Sequence, residues 1–172
     1  MFNLKSKIQK KAAKLKNFSF DSTPSYSFFG KTFLSKVLDI SGPDSLTVTI
    51  KINNIYYKIN SKLNGIYVPN LFSPDTDEEE AAKITHKHLC FLITKQKINS
   101  DCPPNLIRKI CLEINPIVLI KCYHFDSDNN LLIDIFSEDV YINNKLILDG
   151  YATSSNTDNK PVWNSYFKHI SN

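Results

Sequence analysis

Arginine is almost missing from this chain: one residue, Arg108, stands against 20 lysines. Other cationic contacts must come mainly from ammonium groups, which carry charge but lack the planar fork of a guanidinium. Long apolar runs are missing too. No stretch approaches the roughly 18 to 20 consecutive apolar residues of a membrane span, and no apolar segment follows the charged N-terminus as in a secretory leader. The protein is therefore expected to be intracellular and not secreted. Its four cysteines, Cys90, Cys102, Cys111 and Cys122, are expected to be reduced thiols in or near the core. Their spacings fit no zinc pattern. Internal repeats and low-complexity blocks are absent as well.

What is present suits a folded protein: 172 residues, 42% hydrophobic and 12% aromatic, enough for one domain with tails. The net charge of +4 is unevenly placed. Residues 1–20 hold Lys5, Lys7, Lys10, Lys11, Lys14 and Lys16 and no acidic residue, which leaves about −2 for residues 21–172. The basicity belongs to an arm. Met1, Leu4, Ile8, Ala12 and Leu15 recur there at helical spacing among the lysines. Three readings fit the arm: a helix that lies on phosphates and releases counterions, one that lies on an anionic membrane or in a partner's groove, or a solvated terminus.

Residues 21–27 read as a Ser/Pro/aromatic linker. The runs "KTFLSKVLDI", "SLTVTIKIN" and "IYYKINSKL", parted by "SGPD" and Asn53-Asn54, predict three antiparallel strands. "SPDTDEEEAAKITHKHLCFLITKQK" predicts a helix capped by Asp75 or Thr76. Its first turn is acidic, and its apolar stripe runs through Ala81, Ile84, His88 or Leu89, and Leu92. A short helix follows in "PPNLIRKICLEIN", then strands "PIVLIKCYHF" and "LLIDIF" around "DSDNN", then a helix stopped at Gly150. The tail, 153–172, is polar apart from Trp163, Tyr166 and Phe167, which are candidates to dock on the domain. This order predicts an α+β, mainly β domain over 28–152, a five-stranded OB-type barrel with packed helices.

Four of these stretches together resemble a thermonuclease (staphylococcal nuclease-like) domain: "KTFLSKVLDISGPDSLTV", "SKLNGIYVPN", "DEEEAAKITHKHL" and the segment from "VLIKCYHFDSDNN" to "ILDGYA". Their wording is closest to thermonuclease-like proteins of large DNA viruses, which implies a virion component or a protein of the infection site. The family hydrolyses phosphodiesters with calcium, two metal-binding Asp residues, a Glu associated with the attacking water and two arginines on the phosphate. Those residue types follow from the chemistry of hard-oxygen ligands, water activation and guanidinium clamps. By the resemblance, the first metal Asp falls on Asp44 and the first Arg on Lys62. The second Asp falls on Tyr67, the Glu on Asn70 and the second Arg on Asn130. Only Asp44 keeps the family's chemistry.

Other groups are candidates to replace that chemistry. Asp126, Asp128 and Asp134, or Asp39 and Asp44, are candidates to gather a cation, though turns favour Asp for backbone reasons. His86 and His88 are two apart and share no helix face. Ser154, Ser155 and Thr157 have no partner signature for nucleophilic catalysis. Tyr56, Tyr57, Tyr67, Tyr123 and Phe125 are either stacking platforms for single strands or, by the usual behaviour of strand aromatics, core and cross-strand pairs. Lys31, Lys36, Lys58 and Lys62 could form a local basic patch. The expectation is a catalytically inactive thermonuclease-like protein without metal or cofactor, acting as a binding or structural module. Its barrel would meet a protein partner and its arm nucleic acid, with a membrane surface ranked below both. The competing expectation is a divergent metal-dependent nuclease built on Asp44.

Overall fold

The computed structural model describes residues 2–16, 19, 21, 27–98, 103–155 and 163, with side chains from Ser6 onward in the first of these segments. The side chain of Lys5, and all of Cys102, Thr157, Tyr166 and Phe167, lie outside the described residues. Helix α1 spans Phe2–Leu15. Three strands follow, β1 (Thr32–Ile40), β2 (Ser45–Ile52) and β3 (Ile55–Leu63), each antiparallel to the one before. The β2–β3 connection is the two-residue turn Asn53-Asn54, with φ of 50° and 67°. Asn tolerates this left-handed backbone better than most side chains, and such a turn matches the twist of the strands it joins.

A two-residue strand β4 (Ile66–Tyr67) leads to helix α2 (Thr76–Thr94), whose first turn Asp75 caps by accepting the Asp77 N–H at 2.9 Å. Its buried stripe runs through Ala81, Ala82, Thr85, Leu89, Leu92 and Ile93. Of the two residues expected as alternatives there, Leu89 is buried and His88 half-buried, and Ile84, also expected on the stripe, is only half-buried. Helix α3 (Pro104–Ile114) follows and packs on β1. Next come β5 (Ile117–Phe125), β6 (Leu131–Ser137), a short β7 (Val140–Tyr141), helix α4 (Ile142–Leu148) and β8 (Thr153–Ser154), which pairs with β4. Gly150 takes the expected left-handed conformation just beyond α4, at φ +82°.

One long-range pairing closes the sheet. Ser61, Lys62 and Leu63 of β3 lie parallel to Leu131, Leu132 and Ile133 of β6, while β5 bridges β6 and β1. The ring β1-β2-β3-β6-β5 is therefore a closed five-stranded mixed barrel, with β7 hydrogen-bonded to β6 outside it. This is the α+β, mainly β, OB-type architecture expected from the element order. Inward positions alternate along the strands, and Val37, Val48, Ile50, Ile120, Ile133 and Ile135 are fully buried. Each such side chain contributes roughly 1.5–3 kcal/mol by leaving water. Trp163, beyond the barrel, is buried as well.

Among the described residues no helix is long and apolar enough to cross a membrane. Cys90, Cys111 and Cys122 are all buried, the last two as free thiols. Burial pushes the Cys122 thiol up to about 11, and burial followed by the nearby Asp39 charge does the same to Cys111. Neither is a nucleophile at neutral pH.

Candidate functional site

At one end of the barrel the β1–β2 turn, the end of β3 and the loop after β4 enclose a cleft of about 480 Å3. Ser41 and Gly42 both donate backbone N–H bonds to the Ser45 carbonyl, which tightens the turn. The Asp44 carbonyl accepts the Leu63 N–H at 2.9 Å, tying that turn to β3. Gly65, at φ +75°, lets the chain reverse from β3 into β4, a conformation costly for any residue with a Cβ. The loop that follows is clamped by Glu78 of α2. One carboxylate oxygen accepts the Asn70 N–H at 3.0 Å, and the other accepts the Ser73 hydroxyl at 2.6 Å. In the sequence Glu78 reads only as a first-turn acid favoured by the helix dipole, and nothing local marks it as a clamp.

Asp44, Lys62 and Asn70 line this cleft together. Asp44 accepts the Ser45 hydroxyl at 2.6 Å. Lys62 stands 3.7 Å from Asp126 and 3.6 Å from Asp128, the two carboxylates of the β5–β6 turn. Asn130 is not in the lining; its amide donates to both oxygens of Asp126 at 3.3 and 3.2 Å. The parallel β3–β6 pairing is what puts Lys62 beside that turn. Burial raises the Asp126 carboxyl, but the Asn130 donors, the Lys62 charge and the Asp128 N–H outweigh it and leave the group below its usual value. Tyr67 sits on β4, 37% exposed and paired with Thr153, and does not line the cleft. Its neighbour Val68 does.

The cleft lining thus offers one carboxylate and one lysine, and that lysine already faces two other acids. A hard divalent ion needs several oxygen ligands around it, and the lining fits one poorly. Among the described residues no three His, Cys, Asp or Glu side chains gather where they could hold a metal. The lone arginine is elsewhere. Arg108 of α3 donates through Nε at 3.1 Å and Nη2 at 2.6 Å to Asp39 of β1.

The remaining candidates are engaged in the fold. Tyr123 and Tyr141 both donate to the buried Asp134, at 2.6 and 3.0 Å. His86 bonds the Ile40 carbonyl, and His88 bonds Asp149 at 2.8 Å while stacking on Tyr151 at 4.0 Å. Phe125 packs edge-on against Phe28. Tyr56 and Tyr57 are not core residues: they are 65% and 44% exposed and stand opposite Lys51 and Ile50 across the β2–β3 ladder, the cross-strand alternative of the expectation. Set against known proteins, the chain matches no family model and no curated sequence.

Proposed function

We propose that this is a catalytically inactive thermonuclease-like protein that serves as a binding or structural module. The observation that carries the reading is the charge pattern of the cleft. Asp44 has no second carboxylate beside it in the lining, Lys62 faces Asp126 and Asp128, and the only guanidinium of the chain, Arg108, stands outside the cleft beside Asp39. Phosphoryl chemistry of the family's kind needs cations aimed at the charge that develops on the phosphate. Losing one such donor commonly costs about 10²- to 10³-fold in rate, and here both arginines, a ligand and the water-associated carboxylate are replaced.

The binding role divides between arm and barrel. On α1, Lys7, Lys10, Lys11 and Lys14 fall on one face at i, i+3, i+4 and i+7, all exposed. Like charges at that spacing repel, so a polyanion would relieve the helix as it binds. On the barrel, Leu34, Leu119, Phe136 and Tyr141 are successive cross-strand neighbours on the outer surface, with Leu34 72% exposed. An apolar band of this kind supports a protein contact. The runner-up, a divergent metal-dependent nuclease using Asp44, predicts metal-dependent cutting of plasmid that Asp44→Ala abolishes; the inactive reading predicts none. The arm is tested by comparing the full chain with one lacking residues 1–20 across a salt series. A weaker affinity and a shallower salt slope after truncation are expected. Equal affinity in both would remove the arm as a phosphate contact.

A further inference from the structure

A second groove runs along the outside of the barrel, between α3 and the β2–β3 ladder. It encloses about 370 Å3 and is lined by Asp39, Thr47, Lys58, Asn60 and Arg108 together with the leucines Leu38 and Leu112. A bulge in β1 between Val37 and Asp39 shifts the register so that Asp39 pairs with Thr47. There Asp39 grips Arg108 by its Nε–Nη2 edge, both donors on the same oxygen. The guanidinium is thereby oriented, yet its side chain remains 67% exposed, and Nη1 has no partner among the described residues. A guanidinium held by one edge with the other open is arranged to take a phosphate oxygen.

The ladder continues the groove in both directions. Its outward cross-strand pairs are Lys51–Tyr56, Thr49–Lys58, Thr47–Asn60 and Ser45–Lys62, spaced by two residues, roughly 7 Å per step. At the hairpin tip Tyr56 is exposed with the Lys51 ammonium 5.3 Å from its ring centroid. Lys58 is exposed and meets no carboxylate among the described residues. Acids on the elements around this face stand beside cations: Asp39 by Arg108, Glu113 by Lys109 on α3, and Asp126 and Asp128 by Lys62 at the far end of the ladder.

We propose that this face binds a single strand of nucleic acid, with Arg108 and Lys58 on phosphates and Tyr56 beneath a base. A duplex keeps its bases stacked and offers nothing to Tyr56, whereas an unpaired strand offers both a π-face and a flexible backbone. Arg108, Lys58 and Tyr56 lie outside the lining of the cleft, although the ladder ends at Ser45 and Lys62 within it, so the inactivity of the cleft and binding through these three residues are tested independently.

The test is fluorescence anisotropy with the full chain in EDTA, using labelled 12-nucleotide oligo-dT, oligo-U and a 12-base-pair DNA duplex. Tyr56→Ala should weaken single-strand binding by about 5-fold or more with the salt slope unchanged, because stacking releases no counterions. Lys58→Ala should weaken it too and reduce the slope by about 0.7. Arg108→Lys keeps the charge and loses the fork, so affinity should fall while the slope holds. None of these changes should alter duplex binding, and thermal unfolding of each variant checks that Tyr56→Ala and Lys58→Ala leave the fold intact. Tighter binding of one oligomer than the other reflects the 2′-hydroxyl or the thymine methyl and supports the site equally. Wild-type single-strand affinity in both Tyr56→Ala and Lys58→Ala, or no single-strand binding by the full chain, would overturn it.

Discussion

Single residues hold this molecule's junctions. Asn143, at the start of α4, is 1% exposed, yet its side chain makes three well-formed bonds to main chain. Its Oδ1 accepts the Ile135 N–H at 3.0 Å, and its Nδ2 donates to the carbonyls of Asn64 at 3.0 Å and Ile133 at 3.1 Å. Asn143→Ala would take this partner from the Ile135 N–H and the Asn64 carbonyl, while the Ile133 carbonyl keeps the Asn64 N–H at 2.8 Å, at roughly 1–3 kcal/mol for each group left unpaired that water does not reach. We predict a fall in stability of at least about 2 kcal/mol in urea unfolding, with Asn143→Asp no better, since a carboxylate cannot donate to two carbonyls. His86 gives a second prediction. Burial lowers its imidazole below the usual value, against the raising effects of the Ile40 carbonyl and Asp39. The unfolded chain therefore takes up this proton first as pH falls. The contribution is complete above about pH 6.5 and is lost as pH drops through the folded value. Melting temperature should decline from pH 7 toward 5, and His86→Gln, which keeps a donor for Ile40, should flatten that stretch. Asp126 and Asp149, both held low, lose their contributions only at more acidic pH.

At the scale of elements, the strands were legible because their inward positions alternate. The turns were legible because Asn53-Asn54 and Gly150 are residues that accept positive φ. The α2 cap was legible too: Asp75→Ala should cost about 1 kcal/mol, measured as a shift in the urea midpoint at constant slope. Other features left no local trace. The β1 bulge that brings Asp39 against Thr47 follows from pairing with β2, not from the β1 sequence. The short strands β4, β7 and β8 are too brief to show a period. Tyr56 and Tyr57 obey the strand pattern but lie where the β2–β3 ribbon tip, Ile55 to Lys58, is exposed on every side chain.

The whole molecule is decided by contacts distant in sequence. Element order points to a barrel, but closure depends on β3 finding β6 about 70 residues later, a parallel pairing that no local pattern encodes. The same pairing sets Lys62 against Asp126 and Asp128. Of the five positions that the resemblance groups, Asp44, Lys62 and Asn70 line one cleft and Tyr67 and Asn130 do not, while the pairing of Lys62 with two acids and of Arg108 with Asp39 required the tertiary structure. On the proposed reading, inactivity belongs to the assembled barrel and not to any one substitution. Its most direct test is single-turnover digestion of an end-labelled single-stranded oligonucleotide, with protein in excess and calcium or magnesium at millimolar concentration. Wild type and Asp44→Ala should leave the oligonucleotide equally intact over hours. Metal-dependent cleavage by wild type that Asp44→Ala removes would contradict the account.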